Sequence, residues 1–179
     1  MSKQNIEWVF ALDLSAACSG YCFGTGDGEA LKYGKYVSKS IPGESRGQKL
    51  LNFTKWLSKL INSLPYKPTR VVVEAPYYRR NVKTFAILNK YVAVAEREIY
   101  RSCKLEVEFI APSAVKTAMG VAKGATHEQR KYIMVKEINR RLGINLSYHK
   151  SNKKISDDDI ADAIALFLTY CGRLPDATP

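Results

Sequence analysis

Two kinds of apolar pattern divide the chain. Trp8–Asp13 and Arg70–Glu74 are short runs of bulky apolar residues that each end in a carboxylate, whereas longer segments carry apolar residues at every third or fourth position. Short runs rich in aromatic and β-branched residues are typical of strands buried on both faces of a sheet. We therefore predict two central strands, each with an acidic residue at its end.

Three further strands complete the predicted sheet. After a turn of small residues over 14–20, a strand is predicted at 21–24, and beyond a glycine-rich turn another at Ala30–Val37. Together with the first strand they form an antiparallel meander. The fifth strand is predicted at 105–110, and Pro76 prevents the strand before it from continuing.

The longer periodic segments predict helices, because apolar residues at this spacing share one helix face. Thr126 with Gln129 three residues later resembles a capping box, and Gly143 suits the end of the helix that Thr126 opens. The predicted helices span about 45–64, 82–103, 126–142 and 156–170, and a shorter one opens at Pro112 or Ser113.

The length of 179 residues suits one domain, which we predict over 1–179 with an ordered core at about 7–172. No apolar run reaches the roughly 20 residues of a transmembrane helix, and the N-terminus lacks a secretion-signal pattern. We therefore expect a cytoplasmic protein with no membrane association. The four cysteines form no Cys-x-x-Cys pair, so they are expected to be reduced packing residues rather than zinc ligands.

The charge narrows the choice of partner. With 28 basic against 17 acidic residues, the formal net charge is +11. An excess of this size bears on partners rather than on fold, and nucleic acid is the polyanion that it favours over a membrane surface or an acidic protein.

Acidic residues near the last predicted helix add candidate chemistry. Asp157 and Asp158 are explained by the favourable interaction of negative charge with a helix N-terminus. Asp159 and Asp162 lie three residues apart on one face of an otherwise apolar helix, which points to a cation beside that face. Asp13 could merely cap the turn that follows it.

Four acidic side chains, those of Asp13, Glu74, Asp159 and Asp162, are expected to lie close together. If the strands that end at Asp13 and Glu74 are parallel neighbours, both side chains emerge at the same sheet edge. Four anions would repel one another unless a divalent metal offset their charge. Mg²⁺ prefers oxygen ligands, and two ions about 3.5–4 Å apart are the arrangement for phosphodiester hydrolysis. The residues therefore indicate a metal-dependent nuclease.

Four segments of the chain resemble the signature segments of the RuvC family of Holliday junction resolvases, in the family's order and at similar spacing. They are Asp13 with Gly20 and Tyr21 downstream, 72–74, 110–116 and 159–165. The resemblance implies an α/β, ribonuclease H-like fold: a five-stranded mixed sheet, three strands antiparallel and two parallel, with helices on both faces. It also implies a homodimer that nicks two strands of a four-way junction with Mg²⁺ or Mn²⁺, and the pattern is similar to phage- or virus-encoded members.

The resemblance also implies roles for individual residues. Lys116 matches a basic position near the scissile phosphate, Tyr77 matches an aromatic residue that stacks at the opened junction centre, and the helix over 82–103 matches the dimer helix. The metal-binding and catalytic tetrad that it implies is Asp13, Glu74, Asp159 and Asp162.

The chain departs from the family pattern in two places. Bacterial members usually carry Pro-Gly-Ser after the first Asp, where this chain has Leu14, Ser15 and Ala16, and the segment over 120–127 does not align cleanly. The second basic catalytic residue therefore stays open among Lys123, Arg130 and Lys131.

Two basic clusters flank the predicted carboxylate site. Phosphate contacts from such residues give affinity without sequence information, whereas most basic runs are simply solvated. Tyr77 and Tyr78 could stack on bases or pack beside the strand. His127 and His149 could assist a water molecule, although surface histidines are commoner. The clusters consist of Arg79, Arg80 and Lys83, and of Lys150, Lys153 and Lys154.

The conclusion from the sequence is a structure-selective endodeoxyribonuclease that resolves four-way and other branched DNA, with two Mg²⁺ (or Mn²⁺) ions in each active site. Three alternatives remain. One is a ribonuclease H-like enzyme that acts on RNA or RNA–DNA hybrid, and another is a junction-binding protein without catalysis. The third, an actin-like or sugar-kinase domain, needs two such domains and glycine-rich phosphate loops, which the chain is too short to supply.

Overall fold

A five-stranded sheet is the centre of the computed structural model, which describes residues 6–39, 41–77, 81–121, 124–152 and 155–172. The strands are β1 (Trp8–Asp13), β2 (Cys18–Thr25), β3 (Ala30–Val37), β4 (Arg70–Glu74) and β5 (Val107–Ile110). The helices are α1 (Arg46–Asn62), α2 (Val82–Cys103), α3 (Pro112–Ala118), α4 (His127–Leu142) and α5 (Asp158–Cys171).

The strand order is β3-β2-β1-β4-β5. β1, β2 and β3 pair antiparallel, whereas β4 pairs parallel with β1 on one side and with β5 on the other. The predicted mixed sheet is therefore confirmed. The register between the two central strands runs from Val9 opposite Arg70 to Leu12 opposite Val73, so both strands end at the same level.

Each face of the sheet carries its own apolar core, because successive side chains of a strand point to opposite faces. Phe10 and Leu12 of β1 join a cluster with Phe53 of α1 and Ile99 of α2. Val9 and Ala11 join the cluster on the other face, where α3, α4 and α5 pack. Helices thus cover both faces, as predicted.

α5 packs directly on the sheet. Its buried positions include Ala161, Ala163 and Ala165, which are fully inaccessible to solvent, and such small side chains allow a helix axis to lie close to a strand. β2 matches this with Gly20, where an added Cβ would lie 1.9 Å from the Asp159 carbonyl oxygen. The approach of α5 to β2 therefore depends on the lack of a side chain at that glycine.

The predicted elements are all present, helix ends lie within two residues of the prediction, and two strands begin at other residues than predicted. β2 begins at Cys18 rather than at residue 21, so the turn after Asp13 is shorter than predicted. β5 begins at Val107 rather than at residue 105. The small residues at 18–20 have little intrinsic strand preference, and their conformation is decided by pairing with β3, which Gly20 supplements by pairing with β1.

Helix ends follow local capping. The predicted capping box is present, with Thr126 and Gln129 bonding reciprocally, and Gly143 ends α4 in the left-handed conformation. Pro112 is the first residue of α3. None of the described helices combines the length and the apolar character needed to cross a membrane.

Candidate active site

The carboxylates that end β1 and β4 point to the same face of the sheet. Asp13 continues the Val9 and Ala11 side of its strand, and Glu74 continues the Val72 side, which is the face covered by α5. Because the two strands are parallel and aligned, the side chains leave the sheet at one edge. The condition on which the meeting of Asp13 and Glu74 depended, that their strands are parallel neighbours, is met.

The turn after Asp13 is held by serines. The Ser15 hydroxyl donates to the Cys18 carbonyl at 2.6 Å, and the Ser19 hydroxyl donates to the Ser15 carbonyl at 2.9 Å. These local bonds replace part of the strand pairing that the turn lacks. They fix the chain on the C-terminal side of Asp13 and return it directly into β2.

α5 brings two more carboxylates to this edge. Asp159 and Asp162 lie in its first two turns, and both are only partly exposed. The Cys18 thiol donates a hydrogen bond to Asp159, and burial together with this bond raises the pKa of Cys18 to about 12. Cys18 is therefore a neutral packing and hydrogen-bonding residue, as expected for a reduced cysteine.

These side chains line a cleft of about 250 Å³. All four predicted carboxylates reach it, together with three predicted basic residues from α3 and α4. The remaining lining comes from the turn after β1 and from α3 and α4. The lining residues are Asp13, Ser15, Glu74, Pro112, Val115, Lys116, His127, Arg130, Lys131, Met134, Asp159 and Asp162.

The carboxylates raise one another's pKa values. Burial is the largest cause of the high pKa of Asp13, and the charges of Asp162, Glu74 and Asp159 raise it further. Burial also raises the pKa of Asp162 to about 7, against the lowering effect of Lys131. The cleft therefore concentrates negative charge that ordinary solvation does not offset.

Lys131 brings a positive charge directly to these carboxylates. Its ammonium forms a salt bridge with Asp158 and lies 3.7 Å from Asp162 Oδ2. The Lys131 side chain is 19% exposed and the Asp158 side chain only 6%. The pair is therefore largely buried, with Lys131 lining the cleft.

The donor set suits a divalent cation with oxygen ligands, because four carboxylates from three elements border one cleft. Within the described ranges, no three acidic, histidine or cysteine side chains converge closely enough to hold a metal ion as they stand. Mutual repulsion keeps these like charges apart when no metal ion lies between them. Asp13, Glu74, Asp159 and Asp162 could hold the ion after side-chain rotation.

Three other predicted site residues that the structure describes do not line the cleft. Tyr77 is 66% exposed just after β4, Lys83 is exposed at the start of α2, and Lys150 pairs with Glu128 at 2.8 Å. Six further predicted DNA contacts lie outside the described residues: Tyr78, Arg79, Arg80, Lys123, Lys153 and Lys154.

Sequence reasoning missed the role of Asp158 in the site. A helix-terminal location explained this residue too simply, because it is buried and paired with a lysine from α4. A helical wheel carries the missing signal, since Asp158 and Asp162 stand four residues apart and share a face. Ser15 and Met134 also line the cleft without having been predicted, and no sequence signal marks Met134.

The raised pKa of Asp162 predicts an unusual pH dependence of stability. Between its ordinary value of 3.8 and about 7, the folded chain keeps a proton that the unfolded chain has lost. In EDTA, the free energy of unfolding is therefore expected to fall by about 1–2 kcal/mol from pH 5 to pH 8, solvent in the cleft moderating the effect.

Urea unfolding at constant ionic strength measures this change. Carboxylates with lowered pKa values, such as Asp158 and Glu98, stabilise the fold fully above about pH 5 and lose this effect only as the pH falls further. They therefore do not change the profile between pH 5 and pH 8. Asp162→Asn is expected to make the profile less steep, with part of the slope retained because burial also raises the pKa of Asp13. A wild-type stability that rises from pH 5 to pH 8 would contradict the prediction.

A mixed five-stranded sheet with an acidic cleft beside its two central strands is the architecture of the ribonuclease H-like nucleases. The chain belongs to the family of the crossover junction endodeoxyribonuclease RuvC, whose family model matches residues 9–170. It is thus a nuclease of DNA recombination and repair that resolves Holliday junctions, and the family is metal-dependent. The family resemblance inferred from the sequence is confirmed.

Proteins with similar sequences and structures agree with this family assignment. The crossover junction endodeoxyribonuclease RuvC of Dictyoglomus thermophilum is 26% identical over 166 residues, which cover 90% of this chain and 94% of that protein. Thermus thermophilus RuvC in complex with Holliday junction substrate has a TM-score of 0.67 at 16% identity, covering 97% of this chain and 99% of that one. A second Thermus thermophilus RuvC structure gives the same TM-score, with coverage of 93% and 96%. At this identity the similarity shows the fold.

Proposed function

We propose that this chain resolves four-way DNA junctions by hydrolysing phosphodiester bonds in the cleft between β1, β4 and α5, as one half of a homodimer. The observation that carries the proposal is the convergence of four carboxylates from distant parts of the sequence on one cleft of a chain with a net charge of +11. A cluster of this kind destabilises the fold unless it serves a cation.

Asp13, Glu74, Asp159 and Asp162 are the proposed ligands of two Mg²⁺ (or Mn²⁺) ions. When bound, such ions supply an activated water molecule and stabilise the leaving oxygen of the cleaved bond. The protein contributes by holding its carboxylates on two strand ends and one helix, which are rigid elements. Rigid support keeps the attacking and leaving oxygens in line.

Basic residues of the cleft are proposed to bind the scissile phosphate. Lys116 of α3 and Arg130 of α4 are half-buried and line the wall beside the carboxylates. Their positive charge stabilises the extra negative charge of the transition state in a partly desolvated site. His127 lines the same cleft from the first residue of α4, where it can reach a phosphate or a water molecule.

Contacts outside the cleft are proposed to position the junction. Tyr77 follows Glu74 by three residues, and its exposed ring is free of the core, so it can stack on an unpaired base at the junction centre. Lys83, Lys150 and the basic residues at 79–80, 123 and 153–154 supply phosphate contacts. Junction affinity should then fall steeply as salt concentration rises.

The homodimer is proposed from symmetry and from α2. A four-way junction offers two equivalent strands, which a two-fold protein can cut in matched positions. The core takes up Val92, Ala95 and Ile99, whereas Val82 and Tyr100 of the same helix are 60% and 53% exposed. We also propose that residues 1–179 form one domain. The protein is proposed to act in the cytoplasm of its own cell or of a host cell.

Cleavage of a labelled immobile four-way junction tests the function. With Mg²⁺ or Mn²⁺, symmetric paired nicks are expected in the junction, and none in linear duplex of the same sequence or in RNA–DNA hybrid. EDTA should stop cleavage and leave electrophoretic binding of the junction intact, because phosphate contacts do not need the metal.

The alternatives predict different results. Cleavage of the hybrid without cleavage of the junction would replace the proposed substrate and keep the metal site. Tight junction binding with no cleavage under any divalent ion would replace the enzyme with a binding protein.

A further inference from the structure

Lys131 has a position that phosphate binding alone does not explain. It projects from the second turn of α4 toward α5, and its ammonium contacts Asp158 and lies 3.7 Å from Asp162. A lysine that serves only as a DNA contact would be expected at the rim, extended into solvent. This side chain is instead 19% exposed and lies beside the carboxylates.

Asp158 fixes that position. It is the first residue of α5, its side chain is 6% exposed, and it accepts a hydrogen bond from Lys131 Nζ. A buried carboxylate pairs with a cation because either charge alone would carry a large desolvation cost. Asp158 therefore holds the ammonium on the α5 side of the cleft, next to the helix face that bears Asp162.

We propose that Lys131, held by Asp158, is a tethered counter-cation that competes with divalent metal for Asp162. This inference rests on the proposed metal site and adds a regulatory feature to it. The ammonium neutralises part of the carboxylate charge when DNA is absent. It also repels a second cation at the same place, so metal binding to the free protein is weaker than four carboxylates would give.

Substrate changes this balance. A phosphate entering the cleft brings negative charge beside Lys116 and Arg130, and it offsets the repulsion between Lys131 and an incoming metal ion. Metal loading is therefore coupled to the arrival of DNA. Lys131 is a positioning residue, since it acts on the metal through Asp162.

Lys131→Met tests the inference, because it keeps the length of the side chain and removes its charge. Mn²⁺ binding measured by isothermal titration calorimetry without DNA should tighten about tenfold or more, since a unit charge at this distance contributes strongly in a partly buried site. Lys136→Met is the matched control, an exposed lysine on the same helix, and it should leave the Kd unchanged.

A second readout uses stability. In EDTA at pH 8, the Tm of Lys131→Met should fall below that of Lys136→Met, because the carboxylates lose their counter-cation. Saturating Mg²⁺ should recover most of this difference. A lysine needed only for folding would weaken metal binding when replaced, so the direction of the change separates the two roles.

Metal binding as weak in Lys131→Met as in Lys136→Met would overturn the inference. If Lys131→Met does not fold because Asp158 is left unpaired, the Lys131→Met/Asp158→Asn double variant is compared with Asp158→Asn alone. The double variant should bind Mn²⁺ more tightly, and equal affinity would overturn the inference. Failure of the proposed metal site has a different signature, since wild type and every variant would then bind no metal.

Discussion

Asp13→Asn is expected to lower the rate of junction nicking by at least about 10³-fold, because loss of a metal ligand removes several kcal/mol of transition-state stabilisation. Asparagine has the shape of aspartate and cannot supply the negative charge. Junction binding by gel shift should change by less than about threefold, since phosphate contacts dominate affinity. Single-turnover cleavage with Mg²⁺ measures the loss.

The same variant should not be less stable without metal. Burial and the neighbouring carboxylates raise the pKa of Asp13, which shows that its ionised form is disfavoured in the folded chain. A neutral side chain removes that repulsion. The Tm of Asp13→Asn in EDTA at pH 8 is therefore expected to equal or exceed that of the wild type.

Glu106→Gln is the matched control, a loss of one negative charge at an exposed position just before β5. It should cleave and unfold as the wild type does. Residual cleavage by Asp13→Asn within tenfold of this control would refute the assignment of Asp13 as a ligand. Loss of both binding and stability would instead indicate a structural role.

Gly20→Ala is expected to have the second-largest effect, on stability and activity together. The new Cβ would lie 1.9 Å from the Asp159 carbonyl oxygen and 3.0 Å from the Ala163 Cβ, and backbone atoms cannot rotate away. α5 must move off the sheet, which should cost about 2–4 kcal/mol of unfolding free energy. Since α5 carries Asp159 and Asp162, nicking should fall more than about 100-fold, even when the variant is fully folded.

Gly47→Ala provides the comparison for Gly20→Ala. This glycine lies near the start of α1, where an added Cβ comes no closer than 3.8 Å to Ser45 Oγ. Alanine favours helix, so stability should rise by about 0.5–1 kcal/mol with unchanged cleavage. Urea unfolding measures the stability of both variants. Junction cleavage is measured at a temperature well below the unfolding transition of either variant. An active, stable Gly20→Ala would show that α5 does not need its present distance from β2.

The sequence predicted those parts of the site that follow from periodicity. Asp13 and Glu74 end short apolar runs, and Asp159 and Asp162 interrupt an apolar helix, so local pattern alone marked them. Their meeting required only that the two strands be parallel neighbours, which the register confirms. The mixed sheet and its two helical layers followed from the same elements and from the family resemblance.

The features that sequence reasoning missed depend on tertiary contacts. Residues 18–20 are strand because all three pair with β3 and Gly20 also pairs with β1, which no local preference predicts. The inward direction of Lys131 depends on how α4 lies against α5, and Asp158 gains its partner only from that packing. Pairing of this kind between distant charges cannot be inferred from one sequence.

The positions of the cleft carboxylates along the chain determine when, during synthesis and folding, the active site can form. Asp13 belongs to the first strand, Glu74 to the fourth, and Asp159 and Asp162 to the last helix, so nearly the whole length between them must be synthesised before they meet. Domains fold during or after synthesis on the ribosome, and contacts between segments distant in sequence form late. An unfinished or partly folded chain therefore holds strand ends with separate acidic residues and no complete metal site. DNA cleavage therefore requires the fully folded chain.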